Sequence, residues 1–193
     1  GSQTGPPYTP SAQRLIRPMK SIILMGYMCA GKTLVGKTLG LALGRTFYDL
    51  DWYVEERFHR KVSQIFAEDG ETAFRDLERR MLHEVAEFED IVLSCGGGTP
   101  CFFDNIDYMN ACGETVYLKA SPDTLLKHIA MSRGERPLLK GKSPEELRTF
   151  ITTQLQEREP YYLKARHVVN IDVLDDSAKI SAIANQIRTL LHL

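Results

Sequence analysis

The sequence predicts an α/β fold built on a parallel sheet that helices cover on both faces. From Met19 onward, short apolar runs alternate with longer amphipathic stretches, which is typical of βαβ units. A glycine-rich turn follows the first apolar run directly and precedes a helical pattern, as in many α/β proteins that bind phosphates. With 193 residues, 43% of them hydrophobic, the chain can bury one substantial core, which indicates a single domain with small insertions.

Five strands and five long helices are expected from the spacing of apolar residues. The strands are predicted at residues 21–25, 46–50, 91–94, 115–118 and 167–171. The helices are predicted at residues 32–43, 72–88, 122–132, 144–164 and 177–191. In the helices apolar side chains recur every three or four residues, and Ser-Pro pairs at Ser121 and Ser143 are typical of helix N-termini.

Two segments interrupt this alternation. Residues 51–76 are longer than an ordinary connection from strand to helix, and they mix charged with aromatic side chains. Residues 133–142 are short, rich in glycine and basic residues, and flanked by helices, a composition that favours a mobile lid. An insertion of about residues 51–78 and a lid of about residues 131–143 are therefore predicted within one domain that spans residues 19–193.

The first 18 residues contain four prolines and few apolar residues. They are expected to be a disordered leader or a vector-derived remnant, with Met19 as a plausible natural start. An apolar core of the kind that signal peptides carry is not present in this segment.

Composition argues against several classes of partner. The formal net charge is −1, which gives no general attraction for nucleic acid or membranes, and no apolar run approaches the 18 residues of a transmembrane helix. The four cysteines form no C-x-x-C pair. Reduced thiols in a cytoplasmic protein are therefore expected.

The glycine-rich turn is the most informative motif. Residues 26–33 read G-Y-M-C-A-G-K-T and match G-x-x-x-x-G-K-[ST] in full. Gly26 and Gly31 allow backbone N–H groups to point at phosphates. Lys32 would bring a charge to those phosphates, and the hydroxyl of Thr33 is the expected Mg²⁺ ligand. The motif predicts a nucleotide site.

Two aspartates end the second predicted strand. Alternation along a strand would place Asp49 and Asp51 on the same side, at the carboxyl end of a parallel sheet, where ligands bind. Asp49 would hold the water shell of Mg²⁺, and Asp51 would orient an acceptor hydroxyl or take its proton. The alternative is a solvated strand end, since aspartate is common at turns.

A triple glycine follows the third predicted strand. Gly96, Gly97 and Gly98 would let the backbone form a concave surface whose N–H groups face a ligand, although a flexible turn is the alternative. Because Ser94 stands where many phosphate-loop enzymes have an aspartate, metal binding is expected to fall to Thr33 and Asp49.

Three arginines are further candidates, although each taken alone fits a surface charge. Arg75 lies near the start of a predicted helix, Arg136 in the lid-like segment, and Arg158 late in the fourth predicted helix.

Taken together, these motifs resemble the shikimate kinase family in order and spacing, from Met19 to the last helix. The matching pieces are G-x-x-x-x-G-K-T, Asp49-x-Asp51, Phe74-Arg75, Gly96-Gly97-Gly98, Arg136-Pro137-Leu138-Leu139 and Arg158-x-Pro160-x-Tyr162. The resemblance implies a fold like that of nucleoside-monophosphate kinases, with a five-stranded parallel sheet, a substrate-binding insertion and a lid. It also implies phosphorylation of the 3-hydroxyl of shikimate by ATP with Mg²⁺, in the pathway to chorismate and the aromatic amino acids.

The resemblance also implies roles for single residues. The residues that would wrap the ATP phosphates are Cys29, Ala30, Gly31, Lys32, Thr33 and Leu34. Asp51 would hold the shikimate hydroxyls, Arg75 and Arg158 its carboxylate, and the triple-glycine backbone its ring. Arg136 would close over the transferring phosphate, which makes Lys32, Asp51 and Arg136 the implied catalytic residues. The protein is expected to act as a monomer, without nucleic acid or membrane.

Two alternatives remain at this point. Another small-molecule kinase of the same fold, such as a gluconate or adenylate kinase, would share the phosphate loop, but arginines near Asp-x-Asp favour an acidic polyol as acceptor. An inactive ATP-binding regulator would share the fold, yet the residues expected to carry the chemistry are present. The phosphate loop also departs from the family, which more often has small residues where Tyr27, Met28 and Cys29 stand.

Overall fold

The computed structural model describes residues 20–132 and 141–193. Within them, five parallel strands form one sheet in the order β2-β3-β1-β4-β5. The strands are β1 (Ser21–Met25), β2 (Thr46–Asp49), β3 (Ile91–Ser94), β4 (Gly113–Ala120) and β5 (His167–Ile171). The predicted fold class is therefore confirmed, and each of the five predicted strands is present.

Helices connect the strands and cover both faces of the sheet. The described helices are α1 (Lys32–Leu43), α2 (Leu50–Phe58), α3 (Val62–Asp69), α4 (Glu71–Ala86), α5 (Asn105–Cys112), α6 (Pro122–Met131), α7 (Pro144–Tyr162) and α8 (Ser177–Leu190), with a 3₁₀ turn at Thr99–Cys101. All residues of β1 and β3 are buried. Since neighbouring residues of a strand face opposite sides, burial of every residue requires a packed layer on each face.

Strand register brings three strand ends to one edge of the sheet. Leu24 of β1 pairs with Ser94 of β3 and with Val116 of β4, and Asp49 of β2 pairs with Ser94 as well. The loops that follow β1, β2 and β3 therefore start side by side. This edge is where an open α/β sheet binds its ligands.

The predicted insertion is helical rather than irregular. Residues 51–76 form α2, α3 and the start of α4, and the sequence prediction missed the first two of these helices. They are nine and eight residues long and bury few apolar side chains, among them Leu50 and Val54 in α2 and Ile65 in α3, so each offers only about two turns of apolar repeat. Helix α5 was missed as well, and residues 133–140 of the predicted lid lie outside the described residues.

Candidate active site

The loop between β1 and α1 has a conformation that its glycines permit. Gly26 has φ 152° and Gly31 has φ 108°, and Cys29 also has a positive φ of 64°. A Cβ atom added to Gly26 would lie 2.8 Å from the carbonyl oxygen of Leu118, and one added to Gly31 would lie 2.6 Å from Leu174 Cδ1. Other residues would be strained and would clash here, so the curled phosphate loop predicted from the motif is confirmed as a backbone shape.

Lys32 lies at the first turn of α1 with its ammonium group inside this loop. Its Nζ donates to the carbonyl oxygens of Gly26, at 2.5 Å, and Tyr27, at 3.0 Å. Burial lowers the pKa of Lys32, against the opposing charges of Asp51 and Asp49. A desolvated ammonium group without a full anionic partner is a strong binding point for a phosphate oxygen.

The prediction that Asp49 and Asp51 share one side of a strand is wrong. Strand β2 ends at Asp49, whose Oδ1 accepts from the backbone N–H of Trp52 at 3.1 Å and so caps helix α2. Asp51 therefore lies in the first turn of α2. An aspartate at the N-cap starts a helix readily because it satisfies a free N–H group, and this preference decides the local structure.

Both aspartates nevertheless face the same cavity as the phosphate loop. The cavity encloses about 340 Å³ and is bounded by the loop, the start of α1, the start of α2 and the segment after β3. Its lining residues are Met28, Cys29, Gly31, Lys32, Thr33, Leu34, Asp49, Asp51, Trp52, Ser94, Cys95, Gly96 and Gly97. Of the predicted phosphate-binding residues, Ala30 is buried and does not line this cavity.

Thr33 and Asp49 form the oxygen-rich corner of the cavity. The hydroxyl of Thr33 lies 3.4 Å from Asp49 Oδ2, and both groups are hard oxygen donors of the kind that Mg²⁺ selects. The described residues hold no group of three or more His, Cys, Asp or Glu side chains that could enclose a metal. Mg²⁺ commonly binds through one or two protein oxygens with water and phosphate, so this pair fits it.

The carboxyl group of Asp51 lies in an electrostatically unfavourable place. Burial raises its pKa to about 7, the charges of Asp49 and Glu78 add to the effect, and Lys32 opposes it. A Cβ atom added to Gly96 would lie 3.2 Å from Asp51 Oδ1 and 3.3 Å from Glu78 Oε2. A carboxylate with a pKa near neutrality is well matched to accept a proton from a hydroxyl.

The two predicted arginines in the described residues both reach the triple glycine. A Cβ atom added to Gly98 would lie 2.6 Å from Arg75 Nη2, and one added to Gly97 would lie 3.1 Å from Arg158 Nη1. Side chains at these positions would displace the guanidinium groups, so the glycines provide room as well as backbone N–H groups. The structure therefore brings Arg75 of α4 beside Gly98 and Arg158 of α7 beside Gly97. Of these four residues Gly97 lines the cavity described above, and the two arginines and Gly98 lie behind its wall.

Arg75 is anchored by a residue that the sequence did not single out. Glu78 is 1% exposed, accepts from Arg75 Nη1 at 3.1 Å and from Thr99 Oγ1 at 2.9 Å, and the Arg75 guanidinium lies 4.2 Å from the ring centroid of Phe102. Burial raises the pKa of Glu78, and Arg75 opposes that rise. The spacing of three residues on one helix was a usable signal for this pair.

A second residue that sequence reasoning missed, His128 of α6, holds the phosphate loop from outside. Its Nε2 accepts from the backbone N–H of Leu174 at 2.9 Å, so its Nδ1 carries the hydrogen donated to the carbonyl oxygen of Cys29 at 2.6 Å. The Leu174 side chain covers Gly31. His128 thus joins the phosphate loop to the segment after β5, across a separation in sequence that no local motif encodes.

Fold and site together define a P-loop kinase: the parallel sheet carries a phosphate loop that holds the ammonium group of Lys32, and carboxylates line the cavity beside this loop. The shikimate kinase family model matches residues 28–191. This chain belongs to the shikimate kinase family, and it is accordingly a phosphotransferase with an alcohol group as acceptor. The expectation from motif order is confirmed.

Individual relatives agree with the family model. Shikimate kinase of Phocaeicola vulgatus is 52% identical over 174 residues, which cover 90% of this chain and 99% of the relative. The crystal structure of shikimate kinase from Bacteroides thetaiotaomicron superposes with a TM-score of 0.89 at 48% identity, covering 91% of this chain and 99% of that one. Shikimate kinase from Acinetobacter baumannii in complex with shikimate has a TM-score of 0.78 at 29% identity, covering 90% and 94% of the two chains.

Two further observations bear on the expectations from composition. None of the four cysteines, which all lie in described residues, forms a disulfide. Among the helices within residues 20–132 and 141–193, none combines the length and the apolarity needed to span a bilayer.

Proposed function

We propose that this protein transfers the γ-phosphoryl group of ATP to the 3-hydroxyl of shikimate, forming shikimate 3-phosphate on the route to chorismate. The observation that carries the proposal is the position of Arg75 and Arg158, which meet at the triple glycine next to Asp51 and the phosphate loop. In this proposal the two guanidinium groups would bind the acceptor, Asp51 would take its proton, and the phosphate loop would hold the nucleotide beside them. A small hydroxylated carboxylic acid needs these groups.

The nucleotide side of the reaction is assigned to residues 29–34. Backbone N–H groups of the loop would surround the β- and γ-phosphates, and Lys32 would neutralise charge that develops during transfer. Thr33 would hold Mg²⁺ directly and Asp49 would hold it through water, since their oxygens adjoin. When bound, Mg²⁺ supplies charge neutralisation between the phosphates.

The acceptor side is assigned to Asp51, the triple glycine and the two arginines. Asp51 would orient the acceptor hydroxyl and take its proton, for which a pKa near neutrality suits it. Arg75 and Arg158 would grip the carboxylate, and Gly96, Gly97 and Gly98 would leave space for the ring. Phosphoryl transfer depends mainly on such positioning and on cations.

The remaining assignments concern the moving parts and the setting of the enzyme. Residues of about 51–78 would form the substrate-binding insertion, and a lid of about residues 131–143 would bring Arg136 over the transferring phosphate. We further propose that the protein acts in the cytoplasm as a monomer on ATP and shikimate, without nucleic acid or membrane.

The acceptor assignment is tested by comparing shikimate with its methyl ester. If Arg75 and Arg158 bind a carboxylate, the ester should bind about 100-fold more weakly or worse, because desolvated guanidinium groups lose their ionic partner. The difference in affinity between shikimate and its methyl ester should shrink sharply in Arg158→Ala. The difference should shrink less cleanly in Arg75→Ala, because Glu78 would lose its buried ionic partner and keep only the hydrogen bond from Thr99.

Matched controls separate a lost ligand from a general loss of charge. Arg79→Ala changes a half-exposed arginine one turn along α4, and Arg148→Ala changes an exposed one on α7. Both should keep the full discrimination between acid and ester, measured by calorimetry alongside the melting temperature. Equal affinity of the unaltered protein for acid and ester would remove the main support for shikimate as acceptor.

Because His128 holds the phosphate loop, we expect its replacement to impair the use of ATP and to leave the use of shikimate nearly unchanged. His128→Leu should raise KM for ATP about tenfold with a small change in KM for shikimate, because it frees two backbone groups that hold the phosphate loop and the segment after β5. His128→Gln, which can still donate and accept, should recover part of the loss. Lys127→Ala, an exposed neighbour on α6, is the control, and a larger effect on shikimate than on ATP would contradict the assignment.

A further inference from the structure

Tyr27 belongs to the phosphate loop, yet its side chain leaves the loop and packs against α7. The residue is 1% exposed, and its hydroxyl donates to Gln154 Oε1. Its carbonyl oxygen accepts from Lys32 Nζ at 3.0 Å. One residue therefore contacts the lysine of the nucleotide site through its backbone and helix α7 through its side chain.

Helix α7 carries Arg158 one turn beyond Gln154. Residues four positions apart lie on the same face of a helix, and the Arg158 guanidinium accordingly lies 5.8 Å from the ring centroid of Tyr27. Burial raises the pKa of Tyr27 to about 12, and the charge of Arg158 partly opposes this. The hydroxyl thus remains a hydrogen-bond donor to Gln154 at neutral pH.

The space around Arg158 is narrow. A Cβ atom added to Gly97 would lie 3.1 Å from Arg158 Nη1, 3.5 Å from the backbone nitrogen of Met28 and 3.7 Å from the carbonyl oxygen of Gly26. The hydroxyl of Tyr162, also on α7, donates to the carbonyl oxygen of Gly97. The phosphate loop, the triple glycine and α7 therefore meet at Arg158, and Tyr27 is the loop side chain that joins this contact.

We propose that Tyr27 is a positioning residue for the acceptor: from within the phosphate loop it fixes the face of α7 that presents Arg158 to the carboxylate of shikimate. This inference rests on the proposed role of Arg158. A guanidinium fork binds a carboxylate well only in the correct orientation, and small misplacements of a positioned group weaken its effect. A substitution in the nucleotide loop should then act mainly on acceptor binding.

The test is Tyr27→Phe, which keeps the ring and removes the hydroxyl. KM for shikimate should rise about three- to tenfold, the scale of one lost hydrogen bond, while KM for ATP and kcat stay within about twofold. Gln154→Leu removes the same bond from the other side and should give the same separation. The double variant should be no worse than either single variant, because all three lose one shared interaction.

Two control variants change residues of α7 that do not take part in the contact between Tyr27 and Gln154. Tyr161→Phe removes a phenol hydroxyl next to Tyr162, and Gln156→Leu changes an exposed glutamine two residues from Gln154. Both should leave KM for shikimate unchanged. Melting temperatures of all variants show whether any of them fails to fold, and two independent single variants keep the test decisive.

The outcomes separate this inference from the proposed function. Suppose that Arg158→Ala abolishes the difference in affinity between shikimate and its ester, but that Tyr27→Phe leaves KM for shikimate unchanged. Then Tyr27 does not position Arg158, and the assignment of Arg158 to the carboxylate stands. The positioning role of Tyr27 is also wrong if Tyr27→Phe raises KM for ATP as much as KM for shikimate. It is wrong as well if the effects of Tyr27→Phe and Gln154→Leu on KM for shikimate add in the double variant. If Arg158→Ala leaves the difference in affinity between acid and ester unchanged, both the role of Arg158 and the role of Tyr27 are wrong.

Discussion

Lys32→Ala should lower kcat by roughly 100- to 1,000-fold, the scale on which a single preorganised charge contributes to transition-state stabilisation. The ammonium group is held inside the phosphate loop by the carbonyl oxygens of Gly26 and Tyr27. Charge on the transferring phosphoryl group would then develop without its fixed counterpart. Steady-state and single-turnover kinetics with ATP and shikimate measure the loss.

The fold should survive this change. Burial lowers the pKa of Lys32, which means that the charged ammonium group is poorly solvated in the folded protein and contributes little to stability. Lys32→Met, which keeps most of the apolar stem, should be as inactive as Lys32→Ala at a nearly unchanged melting temperature. Lys37→Ala, an exposed position on the same helix, should keep kcat within about twofold. A fall in melting temperature that accounts for the inactivity would contradict the assignment.

The sheet and the phosphate loop could be predicted because their signals are local. Strands β1 and β3 are continuous apolar runs, and the loop requires glycine at fixed positions. Helices α2 and α3 could not be predicted in the same way, since each buries few apolar side chains. At Asp49 two local preferences compete, and capping of α2 prevails over continuation of β2.

The site residues could be predicted where a short sequence motif combines residue types that suit one chemical role. Lys32, Thr33, Asp49 and Asp51 were expected together and line one cavity. His128 was missed because its partner Cys29 is remote in sequence. Tyr162 belongs to a motif of the resemblance, but its bond to Gly97 joins residues that are also far apart in the chain. Only the fold brings such pairs together, so spacing alone could not reveal them.

Asp51→Asn should lower kcat by about 100-fold or more, because an amide keeps the shape of the side chain but cannot take the proton of the acceptor hydroxyl. Affinity for ATP should change little, since the phosphate loop is intact. Glu56→Gln, an exposed position on α2, should leave kcat unchanged. Near-normal turnover of Asp51→Asn would reduce Asp51 to a structural residue of the first turn of α2.

The same substitution should stabilise the fold at alkaline pH, which sets Asp51 apart from a structural residue. Burial raises the pKa of Asp51 from its ordinary range near 3.9 to about 7 in the folded protein. The folded state therefore binds the proton more tightly than the unfolded state, and an unfavourable contribution grows as pH rises from about 4 to about 7 and is then constant. Asparagine does not ionise and avoids this cost, which for a shift of about three pKa units is on the order of 4 kcal/mol.

Thermal unfolding without Mg²⁺ and nucleotide provides the measurement. At pH 8 the melting temperature of Asp51→Asn should exceed that of the unaltered protein, and the difference should shrink as the pH falls toward 5, where the folded carboxyl group is already protonated. Glu56→Gln should show no such trend. A variant that is less stable at pH 8 would mean that the carboxylate holds the fold together. If Asp51→Asn loses turnover but is more stable than the unaltered protein at pH 8, the Asp51 carboxylate destabilises the fold and is required for the reaction.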